Sequence, residues 1–403
     1  MACTVRDLNP MSDRNASAAV ARKEEHSGES IYWLALALTP ALGPTRVRKL
    51  IERFESAQNV FQASLTELEA AGLPAAAAQS IALGKSLQSA EEERVKAEAA
   101  GAQIICVAEQ TYAERLREIY DPPPVLYVRG DAALLSEPGI AIVGTRHPTP
   151  YGIGMSERLA CDLANRGLII ISGMARGVDT AAHRGTLKAK GKTVAVWGTG
   201  IDVVYPRENK KLAQSILDAG GAIISEFPVG TFAAPQNFPI RNRVISGLSI
   251  GVLVVEAAEY SGTRVTSRCA IEQGREVFAV PGNVTSKNSW GPNTLIKQGA
   301  KLTATWEDVW EELPAEIKLA LEAKIPFESK AGSAASLFED SQLAPHERRV
   351  YALLKSDEAL QIDEIIEKLE GQLSSSEIFA ALFELELAGK IRQLPGKNYV
   401  RSM

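Results

Sequence analysis

Ile-Ala-Ile-Val-Gly-Thr-Arg occupies positions 140–146, and a helical pattern starts near Tyr151. A short, continuous apolar run closed by Gly-Thr just before a helix reads as a strand buried on both faces and its strand-to-helix turn. The same pattern recurs on both sides of it. Ile104–Val107, Val125–Val128, Leu168–Ile171, Thr193–Trp197, Ala222–Ile224, Val252–Val255 and Val277–Val280 are Ile- and Val-rich runs that alternate with helical stretches. Strands that alternate with helices and carry no polar face make a mainly parallel sheet. The fold class predicted for residues 101–312 is therefore α/β, a Rossmann-like, doubly wound, mainly parallel sheet.

Outside that region the pattern changes. Apolar residues recur at helical spacing from Ile31 to about Gly84, with Leu-Gly-Pro at 42–44 as a turn between helices. The charged run Glu91–Ala100 adds a helix that stops at Gly101. Residues 31–100 are thus expected to form a small N-terminal helical domain of helix-hairpin-helix or SAM-like type. Residues 1–30 are polar and lack an apolar core, so they read as a disordered tail and not as a signal peptide. Residues 313–343, rich in Ala, Glu, Lys and Ser, read as a linker. Beyond it, Pro345–Leu354, Ile362–Leu369 and Ser375–Ala388 are expected as helices. Lys390–Leu394 and Asn398–Arg401 follow as a wing that turns at Pro395–Gly396. Together they make a C-terminal winged-helix domain over 344–403. Glu377, Glu384 and Glu386 make its third helix acidic, where a helix that reads a DNA groove carries Lys or Arg, so protein interaction and DNA binding stand level for this module.

Composition narrows the function. No apolar stretch approaches the eighteen or so residues of a membrane helix, so the expected site of action is the cytoplasm, without membrane association. The four cysteines are scattered with no Cys-x-x-Cys spacing, which points away from a structural zinc site or a disulfide framework. The formal net charge is −5, so a polyanionic partner must be held by a local patch. Residues 239–275 supply one, with Arg241, Arg243, Arg264, Arg268 and Arg275 against Glu256, Glu259 and Glu272.

The chemistry is expected in the strand-to-helix turns, where helix N-termini offer free N–H groups to anions. Four turns qualify. The first is Gly144-Thr145-Arg146. In the second, Ser172 and Gly173 lead to Arg176 and Gly177; Asp179 reads there as an N-cap. The third runs through Gly198, Gly200 and Tyr205-Pro206 to Arg207. The fourth is Ser261-Gly262-Thr263. With Arg241 and Arg243 flanking Asn242, the set exceeds what one dinucleotide pyrophosphate needs and suits an extended polyanion. Gly185 to Thr193 imitates a phosphate-binding loop, but five residues separate its glycines and it precedes a strand, so it is set aside. No Gly-x-Gly-x-x-Gly follows the strand at 140–143, so no dinucleotide cofactor is expected; no metal and no catalytic residues are nominated either. His183 lies one helical turn from Asp179 and has no evident nucleophile beside it, so it reads as a core or capping group.

The runs Ala-Ile-Val-Gly-Thr-Arg (141–146), Ser-Gly-Met-Ala-Arg-Gly-Val-Asp-Thr-Ala-Ala-His (172–183), Phe-Pro-Ile-Arg-Asn-Arg-Val-Ile (238–245) and Val-Phe-Ala-Val-Pro-Gly (277–282) resemble the DNA-processing protein A family, also called Smf. The resemblance spans about Tyr112 to Leu302, with the runs in the family's order and spacing. It implies a non-enzymatic protein that binds single-stranded DNA, protects incoming DNA and helps load RecA recombinase in natural transformation (competence) or DNA recombination. It also implies a homodimer formed through the Rossmann-like domain. The DNA-contact positions it carries over are Arg146, Arg176, Arg207, Arg241 and Arg243. Arg264 stands where the family usually has an aliphatic residue. The alternative is a nucleotide-processing hydrolase of the phosphoribohydrolase type, using Glu256 and an arginine on a related fold; its Pro-Gly-Gly-x-Gly-Thr signature is missing, the nearest run being Pro281-Gly282-Asn283.

Overall fold

The structure is a computed structural model that describes residues 29–259, 261–324, 344–355, 359–369 and 371–401. The expected tail lies outside the described residues except for 29–30, which open a helix; of the expected linker, 325–343 lie outside them. The chain divides into two compact units, the first made of Met1–Arg129, Thr199–Val203 and Ile224–Phe232, the second of the rest.

The first unit begins with helices α1 (29–38), α2 (Pro44–Phe54), α3 (Ala57–Gln62), α4 (Leu65–Ala70), α5 (Ala75–Ala82) and α6 (Lys85–Ala99). The breaks between them follow from local chemistry. Pro44 occupies the first turn of α2, where its missing N–H costs nothing. The Ser56 and Ser64 side chains accept from the backbone N–H groups of Asn59 and Glu67 and so cap α3 and α4. The strands β1 (Gln103–Cys106) and β2 (Val125–Gly130) pair antiparallel, Ile104 opposite Tyr127, with the short helix α7 (Glu114–Arg117) in their connection.

The second unit carries the parallel sheet. Its elements run β3 (Gly139–Val143), α8 (Pro150–Asn165), β4 (Ile169–Ser172), α9 (Val178–Lys188), β5 (Thr193–Trp197) and α10 (Lys210–Asp218). The unit boundary falls inside β6 (Ala222–Ser225). There follow α11 (Asn237–Leu248), β7 (Gly251–Val254), α12 (Thr263–Glu272), β8 (Glu276–Ala279), α13 (Trp290–Lys297), β9 (Lys301–Leu302), α14 (Trp306–Glu312) and α15 (Ala315–Lys324). The strands lie side by side in the order β5-β4-β3-β7-β8-β9, all parallel. Every residue of β3, β4, β5 and β7 is buried, as their unbroken apolar runs require.

One core gathers Ile140, Ile142, Leu253 and Phe278 from the strands, Leu159 and Leu163 from α8, and Val309 and Leu321 beyond. Burial of each large side chain contributes about 1.5–3 kcal/mol. Gly185 lets α9 lie against α8, since a Cβ there would stand 2.2 Å from the Glu157 carbonyl oxygen. The fold is thus Rossmann-like, doubly wound and mainly parallel. The chain leaves β3 toward β4 on one side, while β7 lies on the other. That reversal of strand order opens a crevice at the carboxyl ends of β3 and β7.

The winged-helix module consists of α16 (Pro345–Leu353), β10 (Leu360–Gln361), α17 (Ile362–Lys368), α18 (Ser375–Leu387), β11 (Ile391–Leu394) and β12 (Asn398–Arg401), the strands ordered β10-β12-β11. Its core is built on Val350, Ile365, Ile378, Leu382, Leu385 and Ile391. On the outer side of α18, Phe379, Phe383 and Leu387 recur every fourth residue and are exposed, beside the exposed Glu384 and Glu386. Two strands escaped the sequence reading, β9 and β10. Each is two residues long and offers no periodicity to read.

Among the described residues no helix is long and apolar enough to cross a membrane.

Candidate nucleic-acid interface

The crevice is a cavity of about 940 Å³, and both strand ends at the reversal point line it. Val143 to His147, at the end of β3, form one wall, and Ala258, Glu259 and Ser261 to Thr263, following β7, another. The Thr145 N–H donates to the Glu256 carbonyl oxygen at 2.7 Å, and the Val178 N–H donates to the Thr145 carbonyl at 3.2 Å. The first turn is therefore stitched on both sides. Glycine is required twice in this stitching. A Cβ on Gly144 would stand 2.5 Å from Val178 Cγ2, and Gly177 adopts φ +76° with the Thr145 carbonyl oxygen 2.4 Å from where its Cβ would be.

The second turn is organised by a buried charge pair. Arg241, on α11, is 5% exposed and donates from Nη1 to the Gly173 carbonyl oxygen at 2.7 Å and to the Val196 carbonyl oxygen. Asp179 accepts from the N–H groups of Gly173 (3.1 Å) and Ala175 (3.3 Å). It sits inside the first turn of α9, where Gly177 is the N-cap, so its carboxylate ties down the loop ahead of the helix instead of capping it. Burial pushes the Asp179 carboxyl up against the opposing pull of Arg241, and burial lowers Arg241 to about 10 with Asp179 acting the other way. Ser172, expected to offer its hydroxyl to a ligand, donates it to the Ile142 carbonyl at 2.7 Å and is fully buried.

An aromatic wall completes the cavity. Tyr205 and Phe238 lie with ring centroids 5.5 Å apart, and the Arg146 guanidinium lies 5.4 Å from the Phe238 centroid. Gly198 makes room for that ring, since a Cβ there would meet Phe238 Cδ1 at 2.8 Å. A flat π-surface beside a cation is what a nucleobase and its phosphate present a use for, because every base can stack whatever its sequence.

A family model described as DNA recombination-mediator protein A matches residues 103–314, just over half of the chain, and a DprA winged helix domain model matches 334–397. The chain belongs to the DNA recombination-mediator protein A family. It is 41% identical to Protein Smf of Escherichia coli over 305 residues, which cover 74% of this chain and 77% of that protein. It is 32% identical to Protein Smf of Synechocystis over 404 aligned positions, covering 93% and 99%. The X-ray structure of DNA processing protein A (DprA) from Streptococcus pneumoniae superposes with a TM-score of 0.61 at 35% identity, covering 70% of this chain and 97% of that one.

Within this member of the recombination-mediator family, Gly144, Thr145, Arg146, Arg241, Asn242, Ser261, Gly262 and Thr263 line the one cavity. Ser172, Gly173, Arg176, Gly177, Arg207 and Arg243 are not in its lining. Arg243 is buried, and Arg176 and Arg207 are exposed. Arg176 forks onto Glu208, Nε to Oε1 at 2.7 Å and Nη2 to Oε2 at 2.8 Å. The sequence reading missed the aromatic platform. Its signal was present as an aromatic-Pro pair just ahead of an arginine, at Tyr205-Pro206 and again at Phe238-Pro239.

The groups weighed for hydrolysis have other duties. Both oxygens of Glu256 are engaged at the start of α8, by the Thr149 N–H at 2.8 Å and the Thr149 hydroxyl at 2.6 Å. His183 is fully buried, and burial holds it down to about 3. Thr193 donates its hydroxyl to the Ile170 carbonyl, so His183 Nδ1–H donates to Thr193 Oγ1 at 2.7 Å. Among the described residues no group of three or more His, Cys, Asp or Glu side chains is placed to hold a metal ion.

Proposed function

We propose that this chain binds single-stranded DNA in the cavity at the head of β3 and β7, without catalysing a reaction, and helps load a RecA-type recombinase onto it. The observation that carries the reading is the Arg146–Phe238–Tyr205 cluster, a cation against one ring and that ring against a second, on one wall. Stacked bases and a gripped phosphate need unpaired, flexible nucleotides; a duplex keeps its base faces hidden. The family's name, a mediator of DNA recombination, and the Streptococcus pneumoniae DNA processing protein A fit this role. The engaged carboxylate of Glu256 supports binding over hydrolysis.

The same proposal covers the setting: incoming DNA protected in the cytoplasm during transformation or recombination, by a homodimer formed through the Rossmann-like domain. It also covers the division into a helical head (31–100), a DNA-binding domain (101–312), a linker (313–343) and a winged-helix domain (344–403). Arg146 makes the phosphate contact inside the cavity. Arg176 and Arg207 extend the path along exposed surface. Arg241 and Arg243 support from below, since Arg241 would have to leave two carbonyl oxygens to reach a phosphate.

A filter-binding assay that compares an oligothymidylate, the same length of duplex and mononucleotides tests the reading. Tight binding of the single strand with weaker binding of the other two is expected. Equal affinity for duplex, or turnover of a nucleotide, would overturn it.

A further inference from the structure

Arg264 has its guanidinium 5.9 Å from the centroid of the Trp290 ring. Trp290 lines the cavity and is 39% exposed, whereas the chain's other tryptophans are buried or half-buried. An indole that is open beside a cation offers a π-surface on which a base can stack.

The backbone holds this ring in place. The Ala257 N–H donates to the Asn288 carbonyl at 2.7 Å, and the Gly291 N–H donates back to the Ala257 carbonyl at 2.8 Å. Only glycine fits at 291, since a Cβ would stand 2.6 Å from that carbonyl oxygen. Asn288 Nδ2 donates to the His147 carbonyl at 3.0 Å, which fixes the same turn to the wall that carries Arg146. Lys287, exposed and also lining the cavity, adds a second cation three residues before Trp290. A rigid, part-exposed aromatic with Arg264 and Lys287 near it sets a ring beside positive charge on a different element, as the Arg146–Phe238–Tyr205 wall does.

We infer that Trp290, with Arg264 and Lys287, is a second base-stacking platform, so the cavity takes at least two nucleotides of one strand. This rests on the single-strand reading above. Arg264 covers part of the indole and a base takes the remaining open surface. A mononucleotide can occupy only one platform at a time, so the gain appears with oligonucleotides.

Emission from the full-length protein, titrated with an oligothymidylate and with thymidine monophosphate, tests the inference on the parent chain and on Trp290→Phe and Trp290→Leu. Binding of the oligonucleotide should quench the parent, and Trp290→Phe should lose most of the quenching while keeping most of the affinity. Trp290→Leu, apolar and unable to stack, should bind the oligonucleotide more weakly by roughly five- to a hundredfold. Its circular dichroism and melting should match those of Trp290→Phe. If the parent binds the oligonucleotide and Trp290→Leu binds it equally well, the second platform is wrong and the first reading stands. A parent that binds no single strand overturns both.

Discussion

Arg241 Nη1 donates to the carbonyl oxygen of Gly173 at 2.7 Å, which makes this arginine a strut beneath the second turn. Removing it strands the Gly173 and Val196 carbonyls and leaves the Asp179 carboxylate buried without its cation. Arg241→Ala should therefore cost about 3 kcal/mol of unfolding free energy. Arg146→Ala, at an exposed position, should stay within about 0.5 kcal/mol and yet weaken binding of single strands. Urea unfolding alongside DNA titration separates the two effects. An Arg241→Ala protein as stable as its parent would remove the strut.

The salt dependence of binding counts the phosphate contacts. Five arginines each gripping one phosphate imply a slope of log affinity against log salt of about −3.5, at ~0.7 per contact. If only the exposed Arg146, Arg176 and Arg207 do so, the slope is about −2. Titrations at several salt concentrations should give the shallower value, and sequence preference should be weak because these groups reach phosphates.

Glu208 holds Arg176 by two hydrogen bonds, which a phosphate on the proposed path would have to displace. The pair is exposed on both sides, so solvent and salt screen it. Glu208→Gln should leave the unfolding midpoint unchanged and tighten binding of single strands, because Arg176 no longer has to exchange a carboxylate for a phosphate. An affinity that does not move would take Arg176 off the DNA path.

His183 sets an acid limit. Its folded value is lowered by burial to about 3, against an ordinary value of 6.5. Between those values the unfolded chain binds the extra proton and the folded chain does not. Stability from this group is therefore complete above about pH 6.5 and is lost progressively as the pH falls toward about 3. The melting temperature of His183→Gln should fall less steeply than that of the parent between pH 6.5 and 4. Parallel curves would show that His183 is not the source.

Much of the fold was legible because burial on both faces leaves a mark that short stretches can carry. Thr193–Trp197 spans the same residues in sequence and structure, and the other expected strands agree within one residue at either end, except that Val125–Val128 runs on two residues to Gly130. The turns at Gly144 and Ser261 were legible for the same reason, since glycine and hydroxyl residues must stand where a buried strand opens into a helix. What Arg241 does was not legible. An arginine in a basic run looks the same whether it faces solvent or spans to a carbonyl 68 residues away. Nor could spacing show Phe238 and Tyr205 meeting, because they come from separate segments that only the sheet brings together. Asp179 was read from its place before a helix, yet the carboxylate turns back to the N–H groups of Gly173 and Ala175.

The bond from Asn288 to the His147 carbonyl joins residues 141 positions apart. A strand lying across both walls would clasp the same distant segments a second time, from outside. Occupancy would then act like a removable staple, raising the melting temperature with DNA concentration and shielding the segments around His147 and Asn288 from proteases. If the strand is handed on as proposed, release and loosening would be one event.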